Sequence, residues 1–340
     1  MRRFIGIDLH RNCFTACTLL ENGRAYERSW RLRDLHRFAS QLRKTDEVAV
    51  EVTGNTRLFY DAVVERAARV AVVNPTQFKV ISQSVKKTDR NDARTLAFYL
   101  SKEMLPEVRM KDKTHAQLAS LTQTRDKLVK LRTSLKNKIN NILSAHGINL
   151  RKEALSSEKG LNEVLGMMFD PIVEVELGVL VEQIRSLNKS ISKLDDSISN
   201  GSKKLQGYKN LKSIKGIGDT GAGILLSVIG DINDFADEGK LAAYFGIVPR
   251  VNNSNETLRS GRITKRGNKL GRTTLVQCAL IAMRYSPYLA EFYGRVKARR
   301  GTGKAIIALA KKFLGIIYHT LKQNWVFEDF PNFVLAEQAT

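Results

Sequence analysis

Four carboxylates in this 340-residue chain have the types and surroundings that chemistry needs: Asp8, Glu51, Asp89 and Asp92. Asp8 follows Ile5 and Ile7 in one apolar run, and Glu51 stands between Val50 and Val52 in another. A carboxylate inside an apolar strand is costly to bury unless it is paired or binds a metal. Taken singly, each could also be an acid at a strand end facing water. Asp89 and Asp92 lie where the polar, basic start of KKTDRNDARTLAFYL gives way to an apolar helical pattern. A helix N-terminus favours acids, so capping is one reading of that pair. Completion of a metal site begun upstream is the other.

The first hundred residues, which carry these acids, read as α/β. FIGIDLH is a short strand, and CFTACTLLENGRAYERSWRL holds two strand-like halves about Glu21-Asn22-Gly23, where Asn-Gly signals a hairpin. A helix is expected from Asp34 to about Arg43, a strand over Glu47–Thr53, a helix over Thr56–Ala68, a strand at RVAVVN, and a helix opening at Pro75. The order β-β-β-α-β-α-β-α predicts a mixed sheet with helices on its faces. In such a sheet the first and fourth strands are neighbours, so Asp8 and Glu51 point at one spot. A later helix with Asp89 and Asp92 on one face, one turn apart, closes it. Four carboxylates so placed would repel one another and titrate upward if bare. One or two Mg²⁺ or Mn²⁺ ions remove that cost, and a metal pair can activate an attacking oxygen and stabilise a leaving one on a phosphodiester.

The middle of the chain changes period. Leu121, Leu128, Leu135 and Ile142 recur every seven residues, with Leu118, Leu131 and Ile139 beside them. After a break near Gly147 and Gly160, the positions Leu177, Leu180, Ile184, Leu187, Ile191, Leu194 and Ile198 alternate in steps of three and four. This a/d pattern predicts two long helices, antiparallel or pairing with another copy, the second ended by Gly201-Ser202 and Gly207. From about Leu211 a glycine-punctuated helical region begins. VPRVNNSNETLRSGRITKRGNKLGR reads as an exposed loop, and Leu275–Tyr285 and Thr302–Gln323 read as helices. The expected division is 1–110 for the carboxylate domain, 111–206 for a coiled-coil insertion and 207–340 for a mainly helical C-terminal domain.

Composition narrows the partners. With 43% hydrophobic residues the chain can bury a sizeable core, and its formal net charge is +22. That excess costs self-repulsion unless a polyanion offsets it, which makes nucleic acid the first candidate. An anionic membrane is second, but no amphipathic or lipidated anchor accompanies it. MRRFIGIDLH is not read as a signal peptide, and AIIALAKKFLGIIY is broken by Lys311 and Lys312, so no membrane span is expected. Cys13, Cys17 and Cys278 are too few and too scattered for a disulfide framework or zinc site. A reducing cytoplasm, with nucleoid association, fits.

FIGIDLH, AVEVTGN and KKTDRNDARTLA resemble the N-terminal domain of the DEDD-type transposases of bacterial insertion sequences. That domain is similar to the RuvC Holliday-junction resolvase, within the RNase H-like fold. The resemblance implies that Asp8, Glu51, Asp89 and Asp92 form one metal-binding set, with capping by the Asp89/Asp92 pair secondary. FGIVPRVNNSNETLRSGRITKRGNKLGR resembles the C-terminal transposase domain of the same family. There a serine precedes a Gly-x-Ile-Ser/Thr-Lys-x-Gly run, here Gly261 to Gly267, and Ser254 stands at the matching place. The resemblance implies a serine nucleophile that forms a covalent 5′-phosphoserine link to DNA. The family often shows Ser-Ser-Gly where this chain has Asn253-Ser254-Asn255, a glycine where it has Arg262, and Ser260 is a rival position. A serine hydroxyl is a weak nucleophile until activated, and no histidine lies near Ser254 in sequence. The carboxylate-bound metal, from this or another subunit, is the expected activator.

Arg259, Arg262, Lys265, Arg266, Lys269 and Arg272 follow with no acid between them. Gly261, Gly267 and Gly271, interleaved with them, would let backbone approach a phosphate. A solvated charge run is the bland alternative, and contact with nucleic-acid phosphates is the favoured one. Arg295 to Lys304 has the same sign and a weaker case.

Two features look like sites and are read otherwise. Gly216 to Gly221 fits G-x-G-x-x-G, but the polar stretch before it is no buried strand, so a dinucleotide site is not expected. A helix-turn-helix hairpin fits better, either offering backbone N–H groups to a phosphate or serving as a plain turn. The five histidines show no ligand spacing. His10 would share a strand face with Asp8 and could touch the metal site, and a structural role is preferred for it.

The leading reading is a DNA recombinase or transposase acting on double-stranded DNA. The family resemblance adds a structured noncoding guide RNA, the bridge RNA, and a homodimer or homotetramer. A metal-dependent junction nuclease with a merely structural Ser254, and a non-catalytic nucleic-acid scaffold, are the alternatives.

Overall fold

The structure is a computed structural model that describes residues 2–74, 78, 88–151, 153–254 and 257–336, with backbone alone over 251–254 and 257–260. It divides into two compact units, Met1–Met110 and Lys111–Thr340.

The first unit is a five-stranded sheet in the order β3-β2-β1-β4-β5. Its strands are β1 (Arg3–Leu9), β2 (Cys13–Leu20), β3 (Ala25–Arg31), β4 (Asp46–Glu51) and β5 (Arg69–Val73). β1 to β3 form an antiparallel meander, and β1, β4 and β5 run parallel. Gly23 takes φ +82° in the Asn22-Gly23 turn between β2 and β3, a conformation that glycine adopts without strain. The mixed sheet expected from the sequence is therefore present. Helices α1 (Leu35–Ala39) and α2 (Thr56–Val63) are shorter than expected, and the helix expected to open at Pro75 lies outside the described residues.

Strand alternation sorts the two faces. Ile5, Ile7, Leu9, Val48, Val50 and Val72 pack with Phe14, Trp30, Phe38 and Phe59 on one face. Ala49, Ala71 and Val73 point to the other, where Leu96 and Leu100 of helix α3 (Asp89–Ser101) cover them. α3 reaches the sheet because Gly6 has no side chain. A Cβ there would lie 2.0 Å from Ala93 O and 2.5 Å from Ala97 N. Asp46 at the start of β4 is fully buried, yet it is satisfied: Arg3 Nε donates to it at 2.8 Å and the Arg43 N–H at 2.7 Å.

The second unit begins with two long helices, α4 (Lys113–Ala145) and α6 (Pro171–Lys203), joined through the short helix α5 (Glu158–Leu165). Arg125 pairs with Asp195, Arg132 with Asn188 and Lys138 with Glu176, so the helices run antiparallel. Leu177, Ile184, Ile191 and Ile198 are buried at seven-residue intervals, as the a/d pattern requires. Leu131 departs from the pattern and is 56% exposed. α6 also runs through Gly201-Ser202 rather than ending there. The Ser202 hydroxyl donates to Ile198 O within the helix, and both pack where Gly223 lets the next layer approach. Gly207, at φ +86°, makes the turn instead.

Helices α7 (Tyr208–Ser213), α8 (Asp219–Ile229) and α9 (Glu238–Phe245) follow. From Ala222 to Ile229 α8 is wholly buried, which makes it the central helix of the C-terminal core. The element directly before Gly216–Gly221 is helix α7 rather than a strand, and the stretch is the turn of a helical hairpin, as expected. The segment read as a loop is instead a β-hairpin, β6 (Pro249–Ser254) with β7 (Thr257–Ile263). Ladder hydrogen bonds need no apolar side chains, so a hairpin rich in Asn, Arg and Ser left no apolar signal. The unit closes with α10 (Lys269–Ala282), α11 (Pro287–Arg300), α12 (Thr302–Lys322) and a small pair, β8 (Phe327–Asp329) with β9 (Val334–Leu335). α11, capped by Ser286 with Pro287 at its first turn, was not expected from the sequence. No described helix is long and apolar enough to cross a membrane.

Candidate functional site

Asp8 stands one residue before the end of β1, on the same face as Gly6 and hence toward α3. β1 and β4 are paired in parallel up to Ile7 opposite Val50. The next step of that register sets Glu51 beside Asp8, and the parity that turns Ala49 to α3 turns Glu51 to the same face. Asp89 and Asp92 lie in the first turn of α3, three residues apart on one helix face. The cap itself is Thr88, whose hydroxyl accepts from Asn91 N at 3.3 Å. Neither aspartate is the capping residue, and both gain from the positive end of the helix dipole.

One oxygen each from Asp8 and Asp89 and one nitrogen of His10 lie within 4.8 Å of one another. His10 Nε2 is 3.1 Å from Asp8 Oδ2 and 3.4 Å from Asp89 Oδ1. Asp8 and Asp92 are buried and Asp89 is exposed. Burial, and then the nearby charges of Asp89 and Asp92, push the Asp8 carboxyl above its usual range, while His10 pulls the other way. The structure thus brings Asp8 and Asp89 together with His10 and sets Asp92 close enough to act on Asp8. Glu51 shares the face on the adjoining strand and stands outside the tight three-residue group.

His10 is the residue that strand reasoning undervalued. β1 ends at Leu9, so His10 belongs to the β1–β2 turn and is free to reach α3. Asn55 holds that turn: its side-chain amide donates to His10 O at 3.0 Å and Arg11 O at 2.9 Å. Asn55 comes from the segment just after Glu51, which Thr56 braces by donating to Glu51 O at 3.0 Å and accepting from Thr53 N at 2.6 Å. The AVEVTGN stretch therefore ties the ends of β1 and β4 to each other. Oxygen donors from a strand and a helix, with one imidazole from a turn, suit a hard divalent cation such as Mg²⁺ or Mn²⁺.

In the second unit Ser254 is the last residue of β6, opposite Thr257 in the pairing register. Ser260 lies in β7 opposite Val251. The side chains of Ser254, Ser260 and Arg259 lie outside the described residues. Arg262, Lys265, Arg266 and Lys269 are exposed on and after β7. Arg272 differs from them: it is half-buried on α10 and donates to Phe245 O at 3.1 Å, which secures the end of α9. Two of the glycines expected to admit a phosphate serve packing instead. A Cβ on Gly267 would meet Tyr244 O at 2.1 Å, and one on Gly271 would meet both Val228 methyls at 3.0 Å. Gly246 and Gly267 together let the Arg266 turn lie against the end of α9.

The G-x-G-x-x-G stretch is likewise absorbed by structure. Asp219, at the start of α8, accepts from Tyr208 Oη at 2.8 Å and pairs with Lys212 Nζ at 2.7 Å, so it binds α7 to α8.

Comparison with known proteins meets this geometry at both ends. The DEDD family model of the IS110 type, described as a transposase, matches residues 5–148 and so spans all four acids. The model described as the transposase IS116/IS110/IS902 family matches residues 208–294, which include Ser254 and the basic run. A transposase for insertion sequence element IS1111A from Coxiella burnetii is 27% identical over 333 residues, 95% of this chain and 90% of its own length. A pilin gene-inverting protein of Moraxella lacunata is 27% identical over 350 residues, 96% of this chain and 98% of its own. A transposase for insertion sequence element IS1328 from Yersinia enterocolitica is 25% identical, over 82% of this chain and 85% of its own.

Proposed function

We propose that this chain is a DEDD transposase of the IS110/IS116 family, whose two family models and transposase relatives it matches, and that it cuts, exchanges and rejoins DNA strands of an insertion sequence. The reading assigns the phosphodiester chemistry to two places: the carboxylate cluster around Asp8 and the serine at the end of β6. The observation that carries it is the meeting of Asp8, His10 and Asp89, contributed by a strand end, a turn and a helix start.

Asp8, Asp89 and His10 would hold a divalent cation, with Asp92 and Glu51 completing its surroundings. When bound, that ion supplies charge stabilisation and activation at a phosphodiester oxygen. Asp8 provides a negative oxygen in a half-dry pocket, where its attraction for a cation is stronger than in water. Asn55 and Thr56 hold the two strand ends in register, and Gly6 keeps α3 seated so that Asp89 stays within reach of Asp8. We read this unit as RuvC-like within the RNase H-like fold, and the chain as a 1–110 carboxylate domain, a 111–206 helical insertion and a 207–340 serine domain.

Ser254 is the proposed nucleophile. Its hydroxyl oxygen attacks phosphorus, the 3′ oxygen leaves and is protonated, and the 5′ phosphate stays on the serine. Reversal of that step with a different 3′ hydroxyl rejoins the strand. Arg262, Lys265, Arg266 and Lys269 hold backbone phosphates beside the hairpin, and Arg259 is assigned to the same surface. Arg272 contributes through the fold, by fixing α9 against α10. A guide RNA is part of the reading because the family resemblance brings it and the net charge of +22 accommodates it. Exchange between two duplexes needs more than one active site, hence a dimer or tetramer.

The test is a denaturing gel of protein incubated with the element's DNA ends, the RNA and Mg²⁺. A protease-sensitive, slow-migrating DNA band that disappears in Ser254→Ala supports the serine step. Cleavage that persists in Ser254→Ala but not in Asp8→Asn would mark a metal-dependent nuclease without serine chemistry. Full activity in Asp8→Asn would leave only a binding scaffold.

A further inference from the structure

A cavity of about 850 Å³ opens between α11, α12 and the β8–β9 end of the chain. Rings form much of its wall: Tyr288 and Phe292 from α11, and Trp325, Phe327 and Phe333 from the segment after α12. Tyr288 and Phe333 stand edge to face at 5.4 Å and are still 42% and 38% exposed. Aromatic side chains gathered in an open recess mark a binding site rather than a core. α12 supplies another side. Lys311, Lys312, Gly315 and His319 line the cavity at helical spacing, while Leu309, Phe313 and Ile317 of the same helix lie in the core.

The polar groups narrow the occupant. Lys312 Nζ lies over the rings of Tyr288 and Phe292, 5.1 Å and 5.9 Å from their centres, so these rings turn their electron-rich faces to the cavity. Lys311 stands beside it, and from Phe292 to Phe327 the chain has eight lysines and arginines and no acid. The rim therefore selects an anion. Glu238, at the start of α9, is the one acid in the lining. Gly315 makes room for it, because a Cβ there would strike its carboxylate. His319, stacked on Trp325, has its Nε2 3.8 Å from Glu238 Oε2, an ion-pair distance too long for a hydrogen bond. The carboxylate therefore keeps acceptor capacity for a ligand in the cavity.

Rings that stack, lysines that take a phosphate and one carboxylate that takes N–H donors are the parts of a nucleotide site. A duplex keeps its bases stacked inside it, so the base that enters is unpaired. Guanine carries an N1–H and an exocyclic amine side by side, which match the two oxygens of a carboxylate. Thymine and uracil offer one N–H flanked by carbonyl oxygens, which a carboxylate repels.

We propose that this cavity binds an unpaired nucleotide of single-stranded nucleic acid, with guanine preferred. The base stacks among Tyr288, Trp325 and Phe333, its edge donates to Glu238, and Lys311 and Lys312 hold its phosphate. The site shares no residue with the β6–β7 hairpin or the carboxylate cluster. It rests on the reading of nucleic acid as the partner and is independent of the serine and metal chemistry.

Fluorescence anisotropy of the full chain with short end-labelled strands tests it. The strands are thymines with one central guanine, thymines alone, the uridine counterparts of both, and a duplex of the first. The wild type should hold the guanine strand about five-fold or more tighter than thymines alone, the scale of one bidentate base contact. Tyr288→Ala with Phe333→Ala should weaken single-strand binding about ten-fold, as loss of stacking does. Duplex binding, circular dichroism and sedimenting mass should stay in place, since both rings are partly exposed. Lys311→Ala with Lys312→Ala should make single-strand affinity less steep in salt. Glu238→Gln should erase the guanine preference and leave affinity for thymines alone unchanged. The tighter of the deoxy- and ribo-strands names the source of the nucleotide. Single-strand binding that is unchanged in the ring variant, or lost equally with duplex binding, would overturn the proposal. So would a guanine preference that survives in Glu238→Gln, or a ring variant of altered mass, which would make the cavity a contact for protein. A wild type that binds duplex and no single strand sinks this site alone, and one that binds neither sinks the nucleic-acid reading with it.

Discussion

His10 Nε2 stands 3.4 Å from Asp89 Oδ1, so the turn after β1 and the first turn of α3 meet at one point. Neither element could hold a cation alone. The contact makes His10 a ligand candidate beside Asp8, and its backbone is fixed by Asn55. His10→Ala should lower Mn²⁺ affinity by about ten-fold or more, as loss of metal-site residues commonly does. Asn55→Ala should lower it less and cost about 1–2 kcal/mol of stability, because two carbonyl acceptors lose their donor. Calorimetric Mn²⁺ titration of both variants checks this, and equal affinity in His10→Ala would remove the histidine from the site.

Asp8→Asn should separate stability from activity. In the metal-free protein Asp8 is buried beside Asp89 and Asp92, and all three repel. Neutralising it removes that repulsion, so the melting temperature without metal should rise or stay level. DNA cleavage should fall on the order of 10²-fold or more, the scale of losing one electrostatic catalytic group. Stabilisation by added Mn²⁺ should shrink in the same variant. A variant that melts lower and keeps cleaving would contradict both halves.

Gly6→Ala tests how tightly α3 must sit. The new methyl would meet the backbone at Ala93 and Ala97, which cannot rotate away. Overpacking of this kind costs about 1–3 kcal/mol and sometimes more. The helix would shift outward and carry Asp89 away from Asp8, so cleavage and metal affinity should both drop in protein that still folds. Denaturant melts with parallel Mn²⁺ titrations give the two readouts.

Much of this arrangement was legible in the chain. The Asn22-Gly23 turn and the alternating strands point to the meander, and with β2 on one side of β1 the other side is left for β4, so Asp8 and Glu51 fall on neighbouring strands. What stayed hidden has physical reasons. His10 looked like a strand residue because its distance from the strand end depends on where pairing stops, which is a property of β2 and β4 as well. The hairpin of β6 and β7 is held by backbone hydrogen bonds and carries few apolar side chains, so periodicity had nothing to register. Gly201-Ser202 looked like a helix end, but Ser202 stays in the helix, its hydroxyl bonded to Ile198 O and both packed at Gly223. The roles of Gly267 and Arg272 depend on α9 lying against their turn, a contact between residues far apart in sequence order.

Asp46→Asn should be among the most damaging substitutions in the first unit. The carboxylate is fully buried and Arg3 beside it is only 20% exposed, so little water screens the pair. The hydrogen bond to Asp46 raises the Arg3 guanidinium above its ordinary value against the cost of its burial. Removing one partner of a buried pair leaves the other uncompensated and costs about 3–5 kcal/mol. Because β4 starts at Asp46, the loss should loosen the β1–β4 pairing first, seen as faster amide exchange at Ile5 and Val48. A change below about 1 kcal/mol, the range of an exposed ion pair, would show that the site is wetter than its burial implies.

Asp219 makes a pH prediction in the second unit. The hydrogen bond from Lys212, and then that from Tyr208, hold its carboxyl below the usual value of 3.8. A carboxyl depressed in the folded state binds protons more weakly there than in the unfolded chain. Its contribution is therefore complete above the unfolded value and fades as pH falls through the lower folded one. The Asp219 side chain is 44% exposed, so the effect is small and salt-sensitive. Asp219→Asn should melt below wild type at pH 6, and the two curves should converge as pH drops beneath about 3. The difference should also narrow in 1 M salt. A gap that keeps its size at low pH would mean that Asp219 acts through shape at the α7–α8 turn and that its charge contributes nothing.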